Sequence, residues 1–192
     1  MPRKKKTEET PPPPPKITLQ TIETIVKRAV ENPARGVPAL IGPPQWGKTH
    51  YVRQWLQEVT GDTVIMVNPQ TDLPEDIAGW PVRTKDTLSF TQPSVIPRSV
   101  LKSRKSWSIF IDELDKAQDD TLSSMLTLLN PSERRLRQTH IPDDVPIVVA
   151  MNEPRRELPE PLIARLLFIP FPPEGYELPD GPIASSKTLA PQ

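Results

Sequence analysis

The segment from Gly42 to Thr49, GPPQWGKT, constrains this chain of 192 residues more than any other. Two glycines are separated by four residues, and the second is followed by a lysine and a hydroxyl residue. An apolar run, Val37 to Ile41, precedes the segment, and a helical pattern over 47–59 follows it. In that context the loop's backbone N–H groups point inward at phosphate oxygens, and the positive end of the following helix adds to the attraction. The segment therefore predicts a phosphate-binding loop between a strand and a helix.

The residues of this loop have separate chemical uses. Lys48 is expected to lie in an exposed loop and to reach the β- and γ-phosphates of a nucleotide, and the Thr49 hydroxyl is expected to ligate Mg²⁺. A lone histidine next to them is expected to pack or to lie near the phosphates, because no second histidine stands at metal-ligand spacing. The predicted nucleotide-binding residues are Gly42, Pro43, Pro44, Gln45, Trp46, Gly47, Lys48, Thr49 and His50.

Short apolar runs predict the strands of one sheet. They are Val37 to Ile41, Thr63 to Val67, Trp107 to Ile111, Pro146 to Ala150 and Leu166 to Phe171. Each is almost continuously apolar, which is typical of strands covered on both faces. Helical patterns separate most of them, at 47–59, 96–103, 119–129 and 159–165. This alternation favours a parallel sheet with right-handed crossovers, that is, an α/β fold built as a three-layer αβα sandwich.

Other segments add to this plan. A first helix is expected from about Ile17 to Ala29, with Thr18 or Thr21 as its N-cap. Val82 to Phe90 and Arg134 to Ile141 break the alternation and are expected to be extended β-hairpin insertions. Among the tryptophans, Trp55 and Trp107 are expected in the core and Trp80 at the surface.

Polar side chains follow two of the predicted strands. Asp112 and Glu113 end the strand that begins at Trp107, and Asn152 comes after the next strand along the chain. The carboxyl ends of the strands in an open α/β sheet are where ligands bind. We therefore expect Asp112 to hold Mg²⁺, Glu113 to polarise an attacking water, and Asn152 to contact the γ-phosphate or orient that water.

An arginine near the last strand is a candidate for catalysis between subunits. Arg165 ends the segment LPEPLIAR, and there it could neutralise charge at a neighbouring subunit's nucleotide. Arg155 and Arg156, which follow Asn152 closely, compete for the same role.

Composition limits the class of protein. The chain has no cysteine, so thiolate metal sites and disulfides are excluded, and a cytoplasmic location is expected. The basic and acidic residues number 24 each, which gives no global reason for nucleic-acid binding. No apolar stretch predicts a membrane span. The 27 prolines concentrate at the ends, so we expect a disordered leader at 1–15, one folded domain at 16–171 and a proline-rich tail at 172–192.

Taken in order, the segments at 42–49, 108–113, 148–152 and 158–165 resemble the Walker A, Walker B, sensor 1 and arginine-finger motifs of AAA+ ATPases. The segment from Leu73 to Gly79 is similar to that of the MoxR branch, which carries an insert in helix 2. The resemblance implies a P-loop NTPase sheet ordered 5-1-4-3-2, ATP and Mg²⁺ as cofactors, and a hexameric ring with ATP between subunits. It also implies remodelling of a protein client, often with a von Willebrand A-domain partner.

The sequence departs from the MoxR pattern in three places. Gln45-Trp46 stand where the family usually has glycine and a small residue, and Leu166 replaces a phenylalanine. After Phe171 the family has a helical lid, whereas residues 172–192 lack helical periodicity and are broken by prolines. Two alternatives stay open: a low-turnover scaffold gated by nucleotide, which the missing lid motivates, and a nucleic-acid-handling ATPase. The second rests on the basic runs at Arg98 to Lys105 and Arg134 to Arg137.

Overall fold

The computed structural model describes residues 17–32, 36–61, 63–103, 105–152 and 158–177. The first half of the described chain contains four helices, two of them short, and four strands: α1 (Leu19–Glu31), β1 (Val37–Ile41), α2 (Lys48–Thr60), β2 (Val64–Val67), α3 (Pro74–Ala78), β3 (Pro81–Arg83), β4 (Leu88–Phe90) and α4 (Arg98–Leu101). The second half contains β5 (Ser108–Ile111), a 3₁₀ turn (Leu114–Lys116), α5 (Asp119–Leu128), β6 (Arg135–Leu136), β7 (Thr139–His140), β8 (Ile147–Met151), α6 (Glu160–Ile163) and β9 (Leu166–Pro170).

Five of the strands form one parallel sheet in the order β2-β5-β8-β1-β9. Leu40 of β1 pairs with Ala150 of β8, and Ile109 of β5 pairs with Ile147 of β8. If β1, β2, β5, β8 and β9 are numbered 1 to 5 along the chain, the sheet read from β9 to β2 has the order 5-1-4-3-2. The predicted α/β sheet is therefore confirmed. Parallel neighbours need crossovers, and the helices supply them.

Helices cover both faces of the sheet because the strands are apolar on both sides. Along β5 the buried residues alternate: Phe110 faces a core that includes α1 and α2, whereas Ile109 and Ile111 face the core that includes α5. All three side chains are fully buried. The three-layer αβα sandwich is therefore confirmed, and Trp55 and Trp107 lie in its cores as expected.

The first helix begins where its capping residue predicts. The Thr18 hydroxyl oxygen accepts a hydrogen bond from the backbone N–H of Thr21 at 3.2 Å, which satisfies one free donor of the first turn. The last helical residue is Glu31, and Asn32 is the C-cap, just before the proline at position 33.

The two predicted insertions are β-hairpins. β3 pairs antiparallel with β4, and β6 pairs antiparallel with β7. The hairpins touch each other, because the Phe90 N–H donates to Gln138 Oε1 at 3.1 Å and the Arg137 guanidinium lies 5.1 Å from the Phe90 ring centroid. Trp80 is about half exposed at the base of the β3-β4 hairpin, as expected.

Arg134, in the second basic run, is not part of a solvated face. Its side chain is buried, and it donates to the Val145 carbonyl oxygen. Its Nε lies 3.9 Å from a carboxylate oxygen of Asp143. Arg135 pairs with Glu133 at 3.3 Å. The expectation that this run forms a basic surface is therefore wrong for Arg134, because burial removes its charge from solvent.

The helices α4 and α6 are shorter than the predicted 96–103 and 159–165. Pro97 and Pro159 are their N-caps, with extended ψ angles of 137° and 132°, so the helices begin after these residues. Each helix has four residues, about one turn. None of the helices in the described parts of the chain has the length and apolarity to cross a membrane.

Residues 172–177 continue from β9 without forming a helix and return toward the phosphate loop. The expected leader at 1–15 and the tail beyond 177 lie outside the described residues.

We expect Phe110→Ala to lower the free energy of unfolding by about 3–5 kcal/mol, because it removes a fully buried ring from the middle of the sheet. The measurement is the midpoint of equilibrium denaturant unfolding. Val82→Ala, on the exposed β3-β4 hairpin, is the control and should change stability by less than about 0.5 kcal/mol. Equal effects of the two substitutions would contradict this account of the core.

Candidate active site

Three loops meet at one edge of the sheet because parallel strands end on the same side. Gly42 follows β1, Asp112 follows β5, and Asn152 follows β8, which lies between the other two. Sequence reasoning placed these residues at strand ends, and the topology brings them together. The edge at which they meet is where open α/β sheets bind ligands.

The loop from Gly42 to Gly47 has a backbone that few sequences can adopt. Gln45 and Gly47 have positive φ angles of 68° and 84°. At the start of the loop, a methyl group on Gly42 would lie 1.6 Å from the Phe171 carbonyl oxygen. Only glycine allows the loop to pass that close to the end of β9. The loop ends at α2, whose first turn has no side-chain cap, so its N–H groups can bind an anion.

Lys48 is the first residue of α2 and is buried, with 7% of its surface exposed. An exposed loop position was the prediction from sequence, and it is wrong because the loop folds back over the side chain. Nζ donates to the carbonyl oxygens of Gly42 at 2.7 Å and Pro43 at 2.6 Å, and to Asn152 Oδ1 at 3.1 Å. Burial lowers the pKa of Lys48, although the carboxylate of Asp112 opposes that shift. All three ammonium donors are thus used within the protein, and a phosphate must replace one of these acceptors.

Thr49 and Asp112 meet across the site. The Thr49 hydroxyl donates to Asp112 Oδ2 at 2.7 Å. Partial burial raises the pKa of Asp112, and the hydrogen bond from Thr49 offsets part of that rise. This pair supplies one hydroxyl and one carboxylate beside the ammonium of Lys48.

The Thr49–Asp112 pair fits Mg²⁺ only together with phosphate oxygens. No group of three or more His, Cys, Asp or Glu side chains in the described ranges forms a metal site by itself. Mg²⁺ typically binds one or two carboxylates together with substrate phosphates and keeps several waters. A partly buried carboxylate whose charge is unfavourable in the free protein is a suitable ligand, because the cation would compensate that charge.

Glu113 follows Asp112 and has a left-handed backbone, with φ 58° and ψ 40°. Its carboxylate oxygen Oε1 lies 2.5 Å from Lys116 Nζ, and the same ammonium donates to Gln70 Oε1 at 3.0 Å. Sequence reasoning singled out Glu113 but neither Lys116 nor Gln70. Lys116 occupies the 3₁₀ turn directly after the acidic pair, and that spacing is the signal by which it could have been found.

Asn152 is held from two sides. Its side-chain oxygen accepts from Lys48, and its backbone N–H donates to Asp115 Oδ1 at 3.1 Å. The amide N–H₂ group then remains to donate to a ligand. Asp115 is buried and was also missed from sequence. Glu113, Asp115 and Asn152 line a cavity of about 570 Å³ beside the phosphate loop.

Arg165 lies at the opposite edge of the sheet. Its carbonyl oxygen accepts from the N–H of Val37, the first residue of β1, whereas the phosphate loop follows the last residue of that strand. Its guanidinium donates from Nη1 to the Leu126 carbonyl oxygen at 2.6 Å. Five residues of strand separate Arg165 from its own loop, about 16 Å. Its role as an arginine finger stays a prediction, and Arg155 and Arg156 lie outside the described residues.

His50 lies on α2 and packs edge-to-face on Tyr51, with ring centroids 5.4 Å apart. This fits the expectation of a packing residue next to the loop. Among the described residues, His50 does not belong to a group of three or more His, Cys, Asp or Glu side chains that could hold a metal ion.

Asp112→Asn should stabilise the ligand-free protein at neutral pH. The folded-state pKa of Asp112 is raised, so its contribution to stability is full below the ordinary value of 3.8 and is lost as pH rises through the folded pKa. Asparagine keeps an oxygen for the Thr49 hydroxyl and removes the charge. The check is the unfolding midpoint at pH 7 without Mg²⁺, which should rise. Mg²⁺ with ADP should stabilise the wild type more than the variant, and a lower midpoint in the variant would contradict the argument.

Comparison with known proteins places this geometry in a family. The family model described as AAA domain (dynein-related subfamily) matches residues 39–166, more than half of the chain. A comparison with curated proteins finds no match. Among solved structures, a crystal structure of NtrX from Brucella abortus is similar, with 17% identity and a TM-score of 0.49. The alignment covers 82% of this chain and 38% of that one, so the chain spans less than two thirds of that structure's length.

Proposed function

This chain belongs to the AAA domain family, dynein-related subfamily, and from that premise we propose that it is an ATP-hydrolysing motor of the MoxR type that acts in the cytoplasm as a ring. The observation that carries the proposal is the convergence of Lys48, Thr49, Asp112 and Asn152 through hydrogen bonds of 2.7–3.1 Å at the end of the sheet. AAA domains in general bind ATP.

The residues divide the work of phosphoryl transfer to water. Lys48 and the N–H groups of the loop bind the β- and γ-phosphates, and Thr49 and Asp112 would hold Mg²⁺, which would neutralise phosphate charge. Glu113 orients and polarises the attacking water once its carboxylate leaves Lys116. Asn152 donates its amide N–H to the γ-phosphate without adding charge.

The position of Arg165 supports ring formation. An arginine at the far edge of the sheet cannot reach its own nucleotide, since about 16 Å of strand intervenes. It can serve only the nucleotide of an adjacent subunit, after it releases the Leu126 carbonyl. We therefore propose that each site takes its finger from the next subunit, in a hexamer.

The β3-β4 hairpin supports a protein client. Trp80, Val82 and Leu88 are each 43–59% exposed on one short insertion. Apolar side chains at a protruding hairpin suit contact with a protein, including an A-domain partner, better than contact with nucleic acid. The nucleic-acid alternative loses part of its support because Arg134 is buried and Arg135 pairs with Glu133.

The contact between Glu113 and Lys116 favours a second candidate, a scaffold that binds ATP and hydrolyses it slowly. At 2.5 Å the ammonium competes with water for the carboxylate.

Phosphate release and assembly state, measured with Mg²⁺ and ATP over a range of protein concentrations, separate these functions. A motor with a finger in trans should show specific activity that rises with concentration as rings form. ATP binding with ring formation but without phosphate release would identify the scaffold. Absence of ATP binding at every concentration would refute both.

A further inference from the structure

Aromatic side chains gather on one flank of the phosphate loop. The ring centroids of Trp46 and Tyr176 are 6.3 Å apart, and those of Tyr51 and Tyr176 are also 6.3 Å apart at an interplanar angle of 79°. The hydroxyl groups of Tyr51 and Tyr176 share a hydrogen bond of 2.8 Å. Trp46 belongs to the loop itself, so this group borders directly on the residues that bind phosphate.

The segment after β9 brings Tyr176 to the loop. Phe171 is buried and its N–H donates to the Ile41 carbonyl oxygen at 2.8 Å, which fixes the start of the segment beside the end of β1. The Tyr176 N–H donates to the Pro173 carbonyl oxygen at 3.1 Å, which closes a turn that includes Gly175 at φ 77°. The position of Tyr176 is therefore set by backbone contacts as well as by its ring.

The two flanks of the loop differ in chemistry. The cavity on one flank is lined by charged and amide side chains, among them Glu113, Asp115 and Asn152. Trp46 is not among its lining residues. Trp46 and Tyr51 instead pack with the core that contains α1 and α2. A nucleotide has two ends that differ in the same way as these two flanks, with a charged triphosphate at one end and a flat, less polar base at the other. Only one orientation places the charged end beside the ammonium groups of Lys48 and Lys116 and the amide of Asn152.

We propose that Trp46 and Tyr176 form the platform on which the nucleobase of the bound nucleotide packs, so that the short segment at 172–177 provides base contacts. The inference rests on the proposed function, because it assumes that the loop binds a nucleotide. Indole and phenol rings stack on any base, and each stacked aromatic contributes a measurable share of affinity.

The environment of Tyr176 fits this role. Desolvation and the hydrogen bond with Tyr51 raise the pKa of Tyr176 to about 12. A phenol is neutral at physiological pH even at its ordinary pKa of about 10, so Tyr176 does not repel the phosphates of the same ligand.

The test compares a ligand that has a base with one that lacks it. The affinities of ADP and of inorganic tripolyphosphate, both with Mg²⁺, are measured by calorimetry for wild type, Trp46→Ala, Tyr176→Ala and Tyr176→Phe. We expect each alanine variant to lower the ratio of ADP affinity to tripolyphosphate affinity by about 5- to 100-fold. Tyr176→Phe keeps the ring and should retain most of the ratio. Trp80→Ala, a tryptophan on the distant hairpin, is the matched control and should leave the ratio unchanged.

The outcomes are distinguishable. If wild type binds ADP more tightly than tripolyphosphate and neither alanine variant reduces that preference, the base does not lie on Trp46 and Tyr176, and the inference is overturned while the proposed function stands. If wild type binds neither ligand, the proposed function fails first. Circular dichroism of each variant confirms that it is folded, and a loss of preference in folded Tyr176→Ala together with its retention in Tyr176→Phe would support the platform.

Discussion

Replacement of Glu113 by glutamine is expected to reduce ATP hydrolysis by about 10²- to 10⁴-fold and to leave ATP binding intact. The carboxylate of Glu113 lines the cavity beside the phosphate loop and is not assigned to the metal, so it can polarise water, and glutamine keeps its shape while losing its basicity. The contact with Lys116 loses its ion-pair character in the variant, which frees the ammonium but supplies no replacement base. The measurement is phosphate release at saturating ATP, together with ATP affinity in the same buffer.

The control for this variant is Glu133→Gln. Glu133 is also a carboxylate within reach of a basic side chain, since it pairs with Arg135 at 3.3 Å, but it lies in the turn before the β6-β7 hairpin. Its replacement should leave hydrolysis within about twofold of wild type, because removal of an exposed ion pair has a small effect. Equal hydrolysis by wild type and Glu113→Gln would show that another group activates the water.

The sheet could be predicted from sequence because its signals are local. Apolar runs of four to five residues mark strands covered on both faces, and the glycines, Lys48 and Thr49 mark the turn between β1 and α2. The bounds of the five sheet strands differ from the predicted ones by at most one residue at each end. The order of the strands came from the family resemblance, because hydrogen-bond register between distant segments leaves no local trace in the sequence.

The partners of the site residues were not predictable in the same way. The contact of Lys116 with both Glu113 and Gln70 depends on where β2 ends relative to β5. The burial of Lys48 depends on the fold of the loop over its own side chain. Tyr176 follows prolines that are typical of an unstructured tail, and its contacts with Tyr51 and Trp46 bring it beside the phosphate loop. The contacts of Lys116 with Gln70 and of Tyr51 with Tyr176 join segments far apart in sequence, and residue type alone does not encode them.

Lys48→Met is expected to lower ATP affinity by about 100-fold or more without unfolding the protein. The ammonium is the one cation that the loop presents to the phosphates, and a hydrogen bond to a charged group contributes about 1.5–3 kcal/mol, so two such bonds account for the loss. Methionine has nearly the same length and fills the space that Lys48 occupies within the loop.

The stability of Lys48→Met follows from the same burial. The folded-state pKa of Lys48 lies below its ordinary value of 10.5, so the fold disfavours the charged form. This cost is present in full at pH 7 and is relieved as pH rises from the folded pKa toward 10.5. The unfolding midpoint of the variant at pH 7 should therefore be no lower than that of wild type, and the difference should narrow at alkaline pH.

Lys27→Met is the control: Lys27 pairs at the surface with Glu23 and Glu58, so its loss should leave ATP affinity unchanged and reduce stability slightly. Normal ATP binding by Lys48→Met would mean that the phosphates lie elsewhere, since no rearrangement of the loop could restore a cation at that position.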